Sequence, residues 1–286
     1  MKKTLLISLA AVALGSMTAC SNILEEEGVI SPSAKLGTLS LSLEQDNTLN
    51  EETKATFNGT TVALTEDEIG SFNIVTKCGE TPINDFTGLY STLKGQSKRV
   101  AVGTYSFTAT YGNMTAPFEW NTPCFYGSET AVVGVTEVVN ANIKCSLSNS
   151  IVVINQDAFD TFNDLVTVEK IVAINSNVSE TYGTDDLTSG VTLLDGASLK
   201  TETLYAKADI TNAKIVMEGF VTLDNSKKFR VIAELKKGTG DTVGAQNKYV
   251  ISYSLVTGDK GTLSISISVN GTVTIQEITK EVNPYN

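Results

Sequence analysis

The chain has 286 residues, 32 acidic against 21 basic side chains and a formal charge of −11, a balance that makes nucleic acid and anionic lipid headgroups poor partners. It contains no histidine, which removes Ser-His-Asp and Cys-His nucleophile systems, the usual catalytic zinc sites and histidine general bases together. A glycosidase would need only two carboxylates, about 5 or 6.5–9.5 Å apart, but no pair stands out, so the expectation is a protein without enzymatic activity, cofactor or metal.

The N-terminus reads Met1-Lys2-Lys3, an apolar run from Leu5 to Leu14, then Gly15-Ser16. That is the pattern of a secretory signal peptide over residues 1–19, with an apolar run too short to span a bilayer. Met17-Thr18-Ala19-Cys20 resembles the bacterial lipobox. The resemblance implies a diacylglyceryl group on the Cys20 thiol, cleavage just before it and acylation (palmitate) of the freed amine, and several acyl chains at one residue give a lasting anchor. Ser21-Asn22-Ile23-Leu24-Glu25-Glu26-Glu27 opens a polar, acidic tether over residues 20–35. It is similar to the signal that carries Bacteroidetes lipoproteins to the outer face of the outer membrane, so that membrane is the expected partner and the cell surface the expected address. Loss of Lys2 and Lys3 takes the formal charge from −11 to −13.

Beyond the tether, strand signals dominate. Leu39, Leu41 and Leu43 alternate with polar residues, as do Tyr105, Phe107, Ala109 and Tyr111, then Phe229, Val231, Ala233 and Leu235. Tyr249, Ile251, Tyr253 and Leu255 precede Leu263, Ile265, Ile267 and Val269. Each run puts one apolar face on a core and one polar face in water, as antiparallel sheets require. Tyr111-Gly112-Asn113 and Thr257–Gly261 mark turns, and Asn270-Gly271 predicts a tight hairpin joining 263–269 to 272–278. Helix is scarce, and the best candidate runs from Gln156 to Leu165, where Phe159, Phe162 and Leu165 could form an apolar face over one or two turns. About fourteen strands suit two β-sandwiches of roughly seven each. The fold class is therefore all-β, two tandem antiparallel β-sandwich domains over 36–148 and 149–286, divided in Ser146-Leu147-Ser148-Asn149-Ser150. Cys78, Cys124 and Cys145 remain besides the lipid cysteine, an odd count that allows one disulfide, Cys124 with Cys145, and leaves a thiol over. Asp157, Asp160 and Asp164, like Asp185-Asp186, lack the spacing and glycine of a calcium loop and read as solvated faces.

Gly37-Thr38-Leu39-Ser40-Leu41, Phe72-Asn73-Ile74, Gly103–Ala109 leading to Tyr111-Gly112, Ala116-Pro117-Phe118, Pro123–Gly127, Val135–Ile143 and Lys144–Ser150 follow one another in this order. That order resembles a Bacteroidetes lipoprotein family, the domain-of-unknown-function family 4493, over most of residues 37–174. The family looks related to the fimbrillin-like subunits and anchors of Bacteroidales pili, lipoproteins of two transthyretin-like sandwiches in a Greek-key layout. The relation implies strand exchange: an arginine-specific protease removes the first strand, and a strand of the next subunit fills the groove. Here the only arginines are Arg99 and Arg230, and Lys54 is the only basic residue in the loop after the first strand. An anchor or accessory subunit, in contact with other fimbrial subunits, therefore fits better than a shaft subunit. The rival expectation is a glycan-binding surface lipoprotein of a polysaccharide-uptake system, with Trp120 and Tyr126 as a platform for a sugar ring. Asp241-Thr242-Val243 resembles the O-glycosylation acceptor of the same bacterial group, which would place the sugar on Thr242. Substituting Cys20→Ala should abolish incorporation of labelled palmitate, read by fluorography of the immunoprecipitated protein.

Overall fold

The computed structural model describes residues 35–46, 48–49, 62–222, 224–257 and 263–277. The signal peptide, Cys20, the acidic tether, Lys54, the turn at 258–261 and Ile278 lie outside the described residues. The first half of the chain forms β1 (Leu36–Asp46), α1 (Glu66–Gly70), β2 (Asn73–Cys78), β3 (Thr81–Pro82), β4 (Gly88–Leu89), α2 (Tyr90–Leu93), β5 (Ser97–Ala101), β6 (Gly103–Tyr111), β7 (Phe118–Trp120), β8 (Phe125–Val133) and β9 (Val138–Leu147). The second forms β10 (Ser150–Ile154), α3 (Gln156–Asn163), β11 (Val166–Asn175), β12 (Val191–Thr192), β13 (Leu194–Asp195), β14 (Ser198–Leu199), β15 (Leu204–Ala206), β16 (Ala213–Val221), β17 (Asp224–Glu234), β18 (Lys248–Thr257), β19 (Leu263–Val269) and β20 (Thr272–Glu277).

An eight-stranded sheet runs β3-β2-β6-β8-β9-β1-β5, with β4 beside β2. Its strands turn one face inward: Leu39 and Leu41, Ile74, Tyr105 and Phe107, Phe125, and Ile143 are all buried in one core. β8 and β9 share a ladder of only three residue pairs, Phe125↔Leu147 to Gly127↔Cys145. The second core lies between a six-stranded sheet, β20-β19-β18-β10-β15-β7, and a four-stranded one, β12-β11-β16-β17. Tyr249, Ile251 and Tyr253 from the first of these meet Ile215, Met217, Phe229 and Val231 from the second, the face-to-face packing of a sandwich.

α3 begins where Asn155 accepts a hydrogen bond from the Ala158 N–H, a side-chain N-cap. Its Phe159 and Phe162 are fully buried, but Leu165 is half exposed: the helix stops at Asn163, before the third apolar residue returns to the same face. Asn270 and Gly271 both take positive φ, 51° and 80°, as a two-residue primed turn demands, and β19 pairs with β20 from Val269↔Thr272 outward.

Two features depart from the sequence reading. The strands are not all antiparallel: β1 pairs parallel with β9, and β10 with β18. Alternation records which face a residue takes and says nothing of the direction of its neighbour, and the long stretches of chain between these partners provide the crossovers that parallel pairs need. Nor does chain order divide the strands cleanly at residue 148. β7 hydrogen-bonds to β15 through Phe118↔Ala206 and Trp120↔Leu204, and Phe118 is buried in the second core. Phe118→Ala should cost about 3–5 kcal/mol and speed amide hydrogen exchange in β15 and β10, while the amides of β1 and β6 keep their protection; mass spectrometry of the exchanged peptides checks this.

Candidate functional site

The first strand is the element on which a strand-exchange role would turn, and it is tied down on every side. β1 is interior to its sheet, with nine residue pairs to β9, Thr38↔Val138 to Asp46↔Ser146, and five to β5. Leu39 and Leu41 fill the core. On the opposite face the polar residues form a continuous cross-strand ladder. Ser40 donates to Asn140 Oδ1 at 3.1 Å, Asn140 donates to Ser42 Oγ at 2.9 Å, Ser42 donates to Asn142 Oδ1 at 3.1 Å, and Asn142 donates to Glu44 Oε2 at 3.1 Å. Lys144 ends it 3.3 Å from Asp46. Gln45 donates to the Val62 carbonyl and accepts from the Leu64 N–H, and the Leu43 N–H donates to Tyr90 Oη. The Asp46 carboxyl is held below its usual pKa by hydrogen bonds from Thr48 and by Lys144.

The two arginines differ sharply. Arg99 is exposed on β5, whereas the Arg230 side chain on β17 is wholly buried. Its Nε donates to Glu218 Oε1 at 2.8 Å, its Nη2 lies 2.6 Å from the same oxygen, and Nη1 donates to the Ser179 carbonyl at 3.1 Å and to Asp185 at 2.5 Å. Glu218 also accepts from the Gly183 N–H, and Lys170 lies 3.6 Å from its other oxygen. These bonds pin the segment between β11 and β12 over the outer face of β16 and β17, where Val172, Ile174, Leu187 and Val216 form a third small core. Tyr182 on this segment donates to Glu169 and carries the Lys228 ammonium over its ring. Burial works against the Glu218 carboxylate, but the Gly183 N–H and the Arg230 guanidinium outweigh it and its pKa falls below the ordinary value. Asp185 is lowered by the Ser179 N–H and by Arg230.

Beside this segment a groove of about 440 Å³ follows β17, with Val178, Ile232 and Glu234 on one wall and Val269, Thr272 and Thr274 on the other. β17 and β20 are the last strands of their sheets among the described residues, so main-chain groups border the groove on both sides.

The residues singled out in the sequence do not converge. Trp120, on β7, packs half-buried against the second core with the Lys200 ammonium 5.4 Å from its ring centre. Tyr126, on β8, is 48 % exposed on the first sheet, and no ring contact joins the two among the described residues. Cys124 and Cys145 are buried free thiols, not a disulfide. Cys145 stands opposite Gly127, while the Cys124 carbonyl meets the Ser148 N–H, so the two lie three residues apart along the ladder, about 10 Å against the 4.4–6.8 Å a disulfide allows. Burial pushes the Cys145 thiol up to about 12 and raises Cys124 as well. Thr242 forms an isolated bridge with Thr211 and its carbonyl accepts from the Lys237 N–H, while Val243 beside it is fully buried. No group of three His, Cys, Asp or Glu side chains that could hold a metal occurs among the described residues, and none of their helices is long and apolar enough to cross a membrane.

The fold is thus a mostly-β one with several sheets around two main cores. The chain belongs to the DUF4493 family, a domain of unknown function, whose model matches residues 35–284. Among solved structures it is similar to a DUF1812 protein of Bacteroides thetaiotaomicron, a candidate polysaccharide binder, at 14 % identity and a TM-score of 0.39, over 85 % of this chain and 98 % of that one. It is also similar to the C-terminally truncated tip fimbrial protein Mfa3 of Porphyromonas gingivalis, at 11 % identity and 0.39 over 73 % and 94 % of the two chains. A candidate adhesin of Bacteroides ovatus gives 8 % and 0.37 over 86 % and 96 %. No curated protein matches in sequence.

Because the Glu218 and Asp185 carboxyls are lowered in the fold, their contribution to stability is present above their ordinary pKa values, near 4, and is lost as pH falls through the lowered ones. Glu218→Ala should cost about 3–5 kcal/mol by leaving Arg230 buried without its partner. Urea midpoints should also fall less between pH 6 and pH 3 in Glu218→Gln than in the parent protein.

Proposed function

We propose that the protein is a non-enzymatic cell-surface lipoprotein of the fimbrillin-like kind, acting in adhesion or pilus assembly as an anchor or accessory subunit. The observation that carries this reading is the seat of β1. A shaft subunit polymerising by strand exchange has to give up its first strand to expose a groove. This chain keeps the strand interior, locks it to β9 through main chain, core and the Ser-Asn ladder, and offers no arginine between β1 and α1. Arg230 is sealed inside its ion network, and Arg99 lies within β5, hydrogen-bonded to β1. A subunit of this build can end or hold a filament, or present a surface of its own, without being threaded into a chain of like subunits. Its partners are the outer membrane, through lipid on Cys20, and other surface or fimbrial proteins. Trp120 supports a glycan platform poorly, since Lys200 sits over its ring.

Protease added to intact cells should degrade the protein without lysis, and it should co-purify with sheared filaments in amounts far below the shaft subunit. Degradation only after lysis removes the surface assignment, and stoichiometric incorporation along the filament removes the anchor or accessory role.

A further inference from the structure

The β8–β9 turn and the strand ends that flank it carry three exposed apolar side chains, Val132 at 67 %, Val135 at 53 % and Val138 at 75 %, and the two most exposed large apolar side chains of the described residues are among them. Nothing in the fold explains them, because Val133 between them already supplies the buried contact. The turn is rigidly built. Gly134 donates to Glu137 Oε2 at 2.9 Å, and Thr136 takes a φ of 60°. It is also bonded to the start of β1: the Thr136 N–H donates to the Leu36 carbonyl at 2.8 Å and the Thr38 N–H to the Glu137 carbonyl at 2.7 Å. The partly buried Val102, between β5 and β6, donates its N–H to the Lys35 carbonyl at 3.1 Å. The apolar end of the first sheet is therefore the end at which the chain arrives from Cys20.

Fourteen residues lie between Cys20 and Lys35. A polar coil of that length spans about 20 Å root-mean-square and at most about 50 Å when fully extended. We infer that the Val132-Val135-Val138 end rests on the lipid surface and orients the molecule upright on its membrane. The inference rests on the lipid-anchor reading for its setting. The net negative charge of the protein argues against electrostatic attraction to lipid, so the contact is apolar. Three valines could not hold the protein on a bilayer alone, but behind an anchor they need only choose which end faces it. β9 then rises from Val138 toward Leu147 and the second core, about 30 Å away along the strand.

The test places a reporter at the turn. Val135→Trp is compared with the parent, whose only tryptophan is Trp120, on vesicles of phosphatidylethanolamine and phosphatidylglycerol brominated in the acyl chains. One arm uses the lipidated protein extracted from its own membranes. The other uses the chain from Ser21 with an N-terminal hexahistidine tag, held by nickel-chelating lipid, so that attachment does not depend on Cys20. The expected result is loss of emission from the variant, and not from the parent, in the nickel-tethered arm. Unchanged emission there, from protein that floats with the vesicles, overturns the proposal, as does a blue shift in solution accompanied by dimerisation, which would make the turn a self-interface. Failure of the native protein to float refutes the lipid anchor and leaves the nickel arm to decide the orientation.

Discussion

The parallel ladder between β1 and β9 holds the first half of the molecule together. β1 arrives first in the chain and is joined to β9 through residues nearly a hundred positions later, so the sheet has no continuous order until both are present. Main-chain bonds set the pairing, Leu39 and Leu41 commit one face to the core, and the Ser-Asn-Glu ladder fixes the register on the other. A slip by one residue would turn the leucines out and break every rung of that ladder. Removing β1 would uncover both β9 and β5 and open the core at its centre.

The second half is held by a different constraint, burial on both faces of β16. Its inward face meets the six-stranded sheet, and its outward face is covered by the segment between β11 and β12. That cover places Glu218 out of water, and Arg230 with Asp185 makes its burial tolerable. Gly219 follows from the same crowding: a Cβ there would stand 2.2 Å from the Thr167 carbonyl oxygen and 2.9 Å from the Phe229 ring. The groove along β17 takes one wall from this covering segment, so the ion network shapes that groove without lining it.

Much of this was legible in the sequence where one local cause decides the outcome. Alternation identified the inward residues of β1, β6, β17, β18 and β19, and Asn270-Gly271 specified its own turn. Where two distant segments had to be known together, the sequence was silent. The direction of β9 relative to β1, the transfer of β7 to the second core and the spacing of Cys124 from Cys145 are of this kind. Arg230 is the clearest case. Flanked by Phe229 and Val231, it occupies the polar phase of an alternating strand and reads as a surface residue, and only the fold of residues 176–190 buries it. Its single advance signal was rarity, as one of two arginines in the chain. Trp120 and Tyr126, neighbours in sequence, belong to different sheets, because β7 pairs with β15 and β8 with β6.

An anchor or accessory role requires β1 to remain in its own fold at the cell surface. Mass spectrometry of the protein recovered from intact cells tests this most directly. That role predicts a single chain that still contains Leu36–Asp46 joined to all that follows. Recovery of a mature chain that begins beyond Asp46 would show that the strand is shed, and would make this a polymerising subunit instead.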